Sequence, residues 1–311
     1  MTLKLPRLLA GVAVLAVVAL IAAGCGSSNN SNTSSAPAAA STGATGATGA
    51  SGADQKVASE VPASIKSKGT LTVAADASYA PNEFIGSDGH TVEGMDADLA
   101  QALAGVMGLK AKVVNATFDS IIPGLAAHKY DLGMSSFTDT KEREKTVDFV
   151  TYFSAGTSFY EKAQGGPPIQ GLASLCGVTV AVEKGTTQQA DSTAQSKKCT
   201  GAGKKAVKVL TFPDQNGANL AITSGRAQVG MADSPVADYQ VKKSGGQFKL
   251  VGQPYGTAPY GIAMPKDVKL TQPVLDALKV LMSNGKYKAI LDKWGIASGA
   301  ISNPQINGAT S

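Results

Sequence analysis

FDSIIPGLAAHKYDLGMSS (residues 118–136) and QNGANLAITSGRAQVGMAD (residues 215–233) decide how this chain is read. Each is an amphipathic helix pattern followed by a short apolar run. Aligned without gaps, they match Leu125 with Ile222, Gly133 with Gly230 and Met134 with Met231, which sets Ser136 opposite Asp233. Two copies of one helix–strand unit imply two related α/β lobes; chance similarity between units that share patterning is the competing reading.

The flanking sequence extends both units. Thr70 to Ala75 alternates as a strand does, and Met95 to Leu109 carries Leu99, Leu103, Val106 and Met107 on one helical face. Lys112 to Val114 is a strand, Phe118 to His128 a helix that Pro123 interrupts, and Asp131 to Ser135 a short strand. The second unit opens at Val178, with Val178, Val180 and Val182 in period two, and continues as helix 187–198, strand 206–211, helix 217–225, strand 227–232 and helix 235–243. Such alternation argues for parallel sheets. Tyr260 to Met264 is a strand that returns to the first lobe, and Leu270 to Ile296 is helical with a break at Ser283-Asn284-Gly285. A chain leaving the first lobe near 155 and returning near 259 crosses twice, which makes a hinge. The expected organisation is lobe 1 over 61–155, lobe 2 over 156–258, a lobe 1 return over 259–297 and a disordered tail over 298–311.

With 311 residues, 43% hydrophobic and 16% charged, the chain can build real cores, which excludes a disordered polymer. Three cysteines exclude a disulfide-dense miniprotein, a single apolar stretch excludes a polytopic membrane protein, and two histidines leave little for a His-rich metal site. No metal or cofactor is expected. The net charge of +5 is spread over scattered lysines, apart from short runs such as Lys204-Lys205 and Lys242-Lys243, so no nucleic-acid partner is expected.

Lys4 and Arg7 precede an uncharged run from Leu8 to Gly24, so residues 1–24 read as a secretory signal. Its end, Leu20-Ile21-Ala22-Ala23-Gly24-Cys25, resembles a bacterial lipobox, in which the cysteine is lipidated and anchors the mature protein to the membrane. A retained N-terminal anchor with an incidental Cys25 is the alternative; either places the rest outside the cytoplasm. Residues 25–60 are then the lipidated cysteine and a flexible tether, since 26–54 are mostly Ser, Asn, Thr, Ala and Gly. Such a tether reaches roughly 30 Å. Outside the cytoplasm Cys176 and Cys199 most simply pair as a disulfide, with two buried free thiols as the alternative.

TLTVAADASYAPNEF (70–84), VEGMDADLAQALA (92–104), residues 118–149, VAVEKGTT (180–187) and GRAQVGMADSP (225–235) together resemble the extracytoplasmic solute-binding proteins of ABC importers, polar amino-acid type, family 3. The resemblance covers roughly 65–297 in one order. It implies an α/β, two-lobed periplasmic-binding-protein-like fold (type II, a Venus flytrap) with two hinge crossovers, acting as a monomer. By the same resemblance Arg143 grips the α-carboxylate of a free amino acid, aided by Ser136 and Thr138, and by Gly185, Thr186 and Thr187 at a helix N-terminus. Guanidinium is a planar fork that matches a carboxylate, although Arg143 also lies in a charged run that suits a solvated face. Asp233 matches the acid that takes the ligand ammonium and is also placed as a helix cap. Tyr79 and Phe118 match aromatic positions over the ligand stem, where bare sequence suggests core. Asp76 matches a side-chain contact, Asn82 departs from a usual aromatic, and Asp96 and Asp98 read as helix-start residues.

The implied function is capture of a polar amino acid by cleft closure and its delivery to a membrane permease, without catalysis. Two rivals stand beside it. One is a cyclohexadienyl-type dehydratase on the same scaffold, with Asp76 or Glu83 as its acid; the other is a ligand-sensing surface receptor domain. Asp76, Glu83 and Asn82 leave open whether the ligand is cationic, an amide or neither.

Overall fold

The computed structural model describes residues 52–310, so the expected signal segment 1–24, Cys25 and the tether up to residue 51 lie outside the described residues. Folded structure begins earlier than the sequence suggests. Asp54 caps α1 (Gln55–Glu60), accepting from Val57 N at 3.0 Å, and Val57 and Val61 are buried in the core, so the stretch up to 60 is not all tether. An apolar residue at each of these positions gives the segment a reason to dock.

The first lobe follows as α2 (Ala63–Lys68), β1 (Thr70–Ala75), a ribbon of β2 (Ser78–Tyr79), β3 (Glu83–Ile85) and β4 (Val92–Glu93), then α3 (Met95–Val106), β5 (Lys110–Asn115), α4 (Phe118–Ala126) and β6 (Leu132–Gly133). β1 pairs in parallel with β5 and β6. Leu71 and Val73 on β1 bury fully beside Leu99 and Leu103 of α3. α4 runs on through Pro123 rather than breaking there, because Ile121 and Leu125 seat both sides of it in the core.

β7 (Val147–Lys162) belongs to both lobes. The second lobe contains β8 (Thr179–Glu183), α5 (Thr187–Gly201), β9 (Lys208–Phe212), α6 (Gln215–Thr223), β10 (Val229–Asp233) and α7 (Ser234–Lys243); β8 pairs in parallel with β9 and β10. β11 (Phe248–Pro265) then returns antiparallel to β7 along its length, and α8 (Thr271–Ser283) and α9 (Lys286–Trp294) cover the first lobe. The strand order β5-β1-β6-β11-β7-β10-β8-β9 puts the two long strands at the centre, where they carry the sheet from one lobe to the other. Register shifts cluster between Val251 and Gly261, and the pairs Ala155–Ala258 and Ser154–Pro259 fall at the expected crossings. Irregular pairing there leaves few bonds to resist bending. The two quoted segments occupy equivalent places, as α4–β6 and α6–β10.

Residues 298–310, expected to be a disordered tail, pack against β7. Thr151 N donates to Gln305 O at 2.8 Å, Val150 bridges Ile306, and Asn307 N donates to Phe149 O at 3.0 Å. In the first lobe β7 is the edge of the sheet, and these residues satisfy backbone groups it would otherwise expose.

Cys176 and Cys199 form the expected disulfide, tying the entry to β8 to the last turn of α5. With 23 residues of sequence separation, closing this loop is worth about 3 kcal/mol. Thermal unfolding with and without a thiol reductant should show a fall in midpoint of several degrees on reduction; coincident curves would mean the second lobe does not depend on the bond.

Candidate functional site

The sheet delivers acidic side chains to one place. β1 ends just before Asp76, β8 ends at Glu183 and β10 ends at Asp233, while Ser135 and Ser136 follow β6. All lie at the carboxyl ends of parallel strands, where open α/β sheets leave a crevice. These residues line one cleft together with Tyr79, Glu83, Phe118, Thr138, Arg143, Thr186, Thr187 and Gln188. Of the residues expected at the site, only Gly185 does not line it; its carbonyl instead accepts from Arg143.

Arg143 leaves its charged neighbours. Lys141 pairs with Glu144 and Lys145 with Glu142 on the outside, whereas the Arg143 guanidinium turns inward. It donates to Thr138 O at 2.8 Å and, from the other lobe, to Gly185 O at 3.0 Å, and lies 5.3 Å and 5.4 Å from the rings of Phe118 and Phe137. Burial lowers its pKa to about 10, with Asp233 opposing that shift, so it stays charged at neutral pH. Only two of its five N–H donors are engaged by these carbonyls.

Asp233 is buried. It accepts from Gln188 Nε2 at 2.7 Å and from Tyr260 Oη at 2.7 Å, while its own N–H donates to Tyr79 Oη at 2.9 Å. Burial raises its pKa to about 6 against those hydrogen bonds and Arg143. Asp76 accepts from Ser78 N and Oγ and from Phe118 N at 3.0 Å, so it also holds the start of α4; burial raises its pKa.

Glu183 is not singled out by the sequence, and Glu83, Asp96 and Asn82 take places in the structure that the sequence does not show. Glu183 ends the period-two strand TVAVE and is buried, and its Oε1 meets no hydrogen-bond donor; burial first and Asp76 second push its pKa well up. A carboxylate at a strand end just ahead of Gly185-Thr186-Thr187 was the available signal. Glu83 is fully buried, takes the Ser135 and Ser136 hydroxyls at 3.1 Å and 3.2 Å, and is driven upward by burial and then by Asp96. Asp96 is therefore more than a helix-start residue. It is buried and accepts from Ser136 N at 2.9 Å, whereas Asp98 faces outward to Lys293 and the Trp294 indole. Asn82 explains its own departure from an aromatic: fully buried, it donates to Ser136 Oγ at 2.9 Å. Ser136 sits at φ +52°, a left-handed conformation that costs a non-glycine residue about 1 kcal/mol and is held here by these bonds.

Contacts cross the cleft directly. Lys184 meets Asp119 at 2.7 Å, Gln215 N donates to Ser78 Oγ at 3.0 Å, and Thr186 caps α5 so that its N-terminus faces Arg143. Gly185, at φ +81°, has no room for more: a Cβ there would stand 3.0 Å from that of Asp119.

Residues 71–297 match the model of the bacterial extracellular solute-binding proteins, family 3. The chain belongs to that family. It is 34% identical over 253 residues to the arginine-binding protein ArgT of Corynebacterium glutamicum, covering 81% of this chain and 83% of that one. It is 34% identical over 233 residues to the L-arginine-binding protein of Pseudomonas aeruginosa, covering 72% and 87%. Among solved structures, an ancestral arginine-binding protein bound to arginine superposes with a TM-score of 0.66 at 34% identity, over 73% of this chain and 98% of that one.

The family-3 cleft has a thermodynamic signature. Asp233, Asp76, Glu83, Asp96 and Glu183 all have folded pKa values above their unfolded ones. Stability from such groups is fully present below the unfolded value near 4 and is lost as pH rises through the folded value. The acids with lowered values, Asp88, Asp119 and Glu144, lose stability only below that range. The ligand-free protein should therefore melt higher at pH 5 than at pH 8, with Asp233→Asn flattening the part near pH 6; a midpoint that rises steadily from pH 5 to 8 would contradict this.

Proposed function

We propose that this solute-binding protein captures a free cationic amino acid, arginine first, and hands it to an ABC permease while tethered to the outer face of the membrane through lipidated Cys25. The observation that carries the reading is charge balance in the cleft. Asp76, Glu83, Glu183 and Asp233 line it against one guanidinium, Arg143. A zwitterion needs one cation and one anion from the protein, so the remaining acids suit a second positive group on the ligand. The names of the relatives agree with that choice.

The mechanism follows from the placements. Arg143, in the first lobe, takes the α-carboxylate with its unengaged N–H groups, and Thr186 and Thr187 add donors from the start of α5 in the second. Asp233 takes the α-ammonium. Tyr79 and Phe118 cover the aliphatic stem, and Asp76, Glu83 and Glu183 surround the far end. Neither lobe alone satisfies both ends of the molecule, so the ligand favours the closed arrangement through its differential contacts. Asp76, Glu83 and Asp233 are hydrogen-bonded by serines, backbone, Gln188 and Tyr260, an arrangement that holds them in place around a ligand.

Calorimetry tests this directly. L-arginine should bind more tightly than L-glutamine, and Arg143→Ala should cost roughly 2–5 kcal/mol for every amino acid that binds. Glu183→Gln should cost about 1–3 kcal/mol with arginine and little with glutamine. An unchanged arginine affinity in Arg143→Ala, or equal losses for the two ligands in Glu183→Gln, would count against the assignment.

The raised pKa of Glu183 adds a second readout. A guanidinium beside it lowers that pKa again, so arginine binding near neutral pH should release protons. Titrations in buffers of different ionisation enthalpy measure the number released. A heat independent of the buffer would remove the acidic end of the site from this account.

A further inference from the structure

The loop that carries Arg143, residues 138–146, is bonded to β11 before that arginine and to the C-terminal segment just after it. Thr138 bridges Tyr260, and Asp139 N donates to Pro259 O at 2.9 Å, which fixes the segment to the hinge strand β11. Arg143 N donates to Thr140 Oγ1, and the Arg143 guanidinium donates to Thr138 O. On the far side the chain end crosses β7. Asn307 takes the Phe149 N–H on its Oδ1 at 2.8 Å and donates from Nδ2 to Asp148 at 3.0 Å; two residues on, Ala309 N donates to Glu144 Oε1 at 3.2 Å.

Asp139 lies where these elements meet. It is fully buried, and neither carboxylate oxygen makes a hydrogen bond of good geometry, although the Gly308 backbone and the Glu144 carboxyl approach it. The cleft roles proposed above leave it without a task. An isolated buried carboxylate is expensive, so its presence four residues from Arg143 calls for a reason.

We propose that Gln305–Ala309 is a strap that positions the Arg143 loop for the ligand carboxylate, with Asp139 as the buried carboxyl through which strap, loop and hinge strand are coupled. The proposal rests on Arg143 being the carboxylate clamp. While Asp139 is protonated it sits beside Glu144 under the strap without repulsion. Once ionised it repels Glu144, loosening the loop, and attracts Arg143 away from the cleft. The charged groups acting on it are Glu144, Lys141 and Arg143, all on its own loop; the strap and β11 present backbone at Gly308 and Pro259. Burial first and Glu144 second raise its pKa to about 7, which places the change near neutrality. The sign is that coupling is complete at low pH and is lost as pH rises through about 7.

The test uses the full chain with L-arginine as probe. Asn307→Gly keeps the left-handed backbone found there, at φ +51°, and removes only the side-chain bonds. It should weaken arginine binding 5- to 50-fold and shrink the arginine-induced rise in melting temperature, as should a chain ending at Asn303. In wild type the affinity should fall as pH rises above 7, and Asp139→Asn should abolish that fall. Hydrogen exchange at residues 138–146, which needs no ligand, should speed up in Asn307→Gly. Wild-type affinity in both shortened and substituted chains, or exchange unchanged at 138–146, would overturn the strap. If the unaltered protein binds no amino acid, the functional reading fails by itself, and the exchange result still decides whether the strap holds the loop.

Discussion

Crowding of carboxylates in a place with little water is the constraint around which this molecule is arranged. Four acids line the cleft and a fifth, Asp96, lies directly behind. A buried ionised carboxylate without a partner is so costly that the group protonates instead, and every one of these acids is shifted in that direction. The ligand-free cleft is thus electrically quieter than its residue types suggest. On the proposed function, a ligand that brings its own positive charges would restore ionisation, so affinity for it and rejection of neutral analogues would arise from one cause. Specificity built on groups left unpaired by the wrong ligand discriminates more strongly than specificity built on shape.

The same crowding dictates much of the local structure around the cleft. Ser135 and Ser136 must each give a hydroxyl to Glu83, and Ser136 must also turn its N–H to Asp96, which the left-handed backbone at Ser136 permits. Asn82 supplies the opposing donor from the ribbon. Bonds from two separate stretches of chain, 82–83 and Asp96, therefore meet on one strained residue, and they hold that wall of the cleft in place.

Much of the fold was legible in the sequence, and the reasons are physical. Period-two runs such as Val178, Val180 and Val182 bury one side completely, so the pattern survives in composition. The echo between 118–136 and 215–233 located the two strand ends that bring Ser136 and Asp233 to one cleft. Residues whose meaning depends on a partner distant in sequence were not legible. Glu183 is an ordinary strand-end acid until Asp76 is seen beside it, Asp96 reads as a favourable helix-start charge until Ser136 is found bonded to it, and Asn82 reads as a lost aromatic until its donor role appears. The chain end misled for a related reason. Its small polar residues carry no apolar stripe, and what orders them is the unpaired edge of β7, which no local pattern announces.

That edge exposes a difference between the lobes. In the second lobe β7 is flanked by β10 as well as β11, and its backbone groups are satisfied by the sheet itself. In the first lobe it has β11 alone, so something outside the sheet must cover its other side or leave a template for unwanted strand pairing. A permanent extra strand would stiffen the hinge from which β7 emerges. A short segment bonded at Thr151 and Phe149, ending where the irregular pairing opens between Thr151 and Phe153, covers the edge without pairing to the crossing at Ser154 and Ala155. Because β7 also follows directly from the Arg143 loop, whatever lies on that edge touches the loop as well. On the strap proposed above, edge protection and alignment of the guanidinium would be two consequences of one placement, since a segment fitted for the first is already bonded to Glu144, the residue after Arg143.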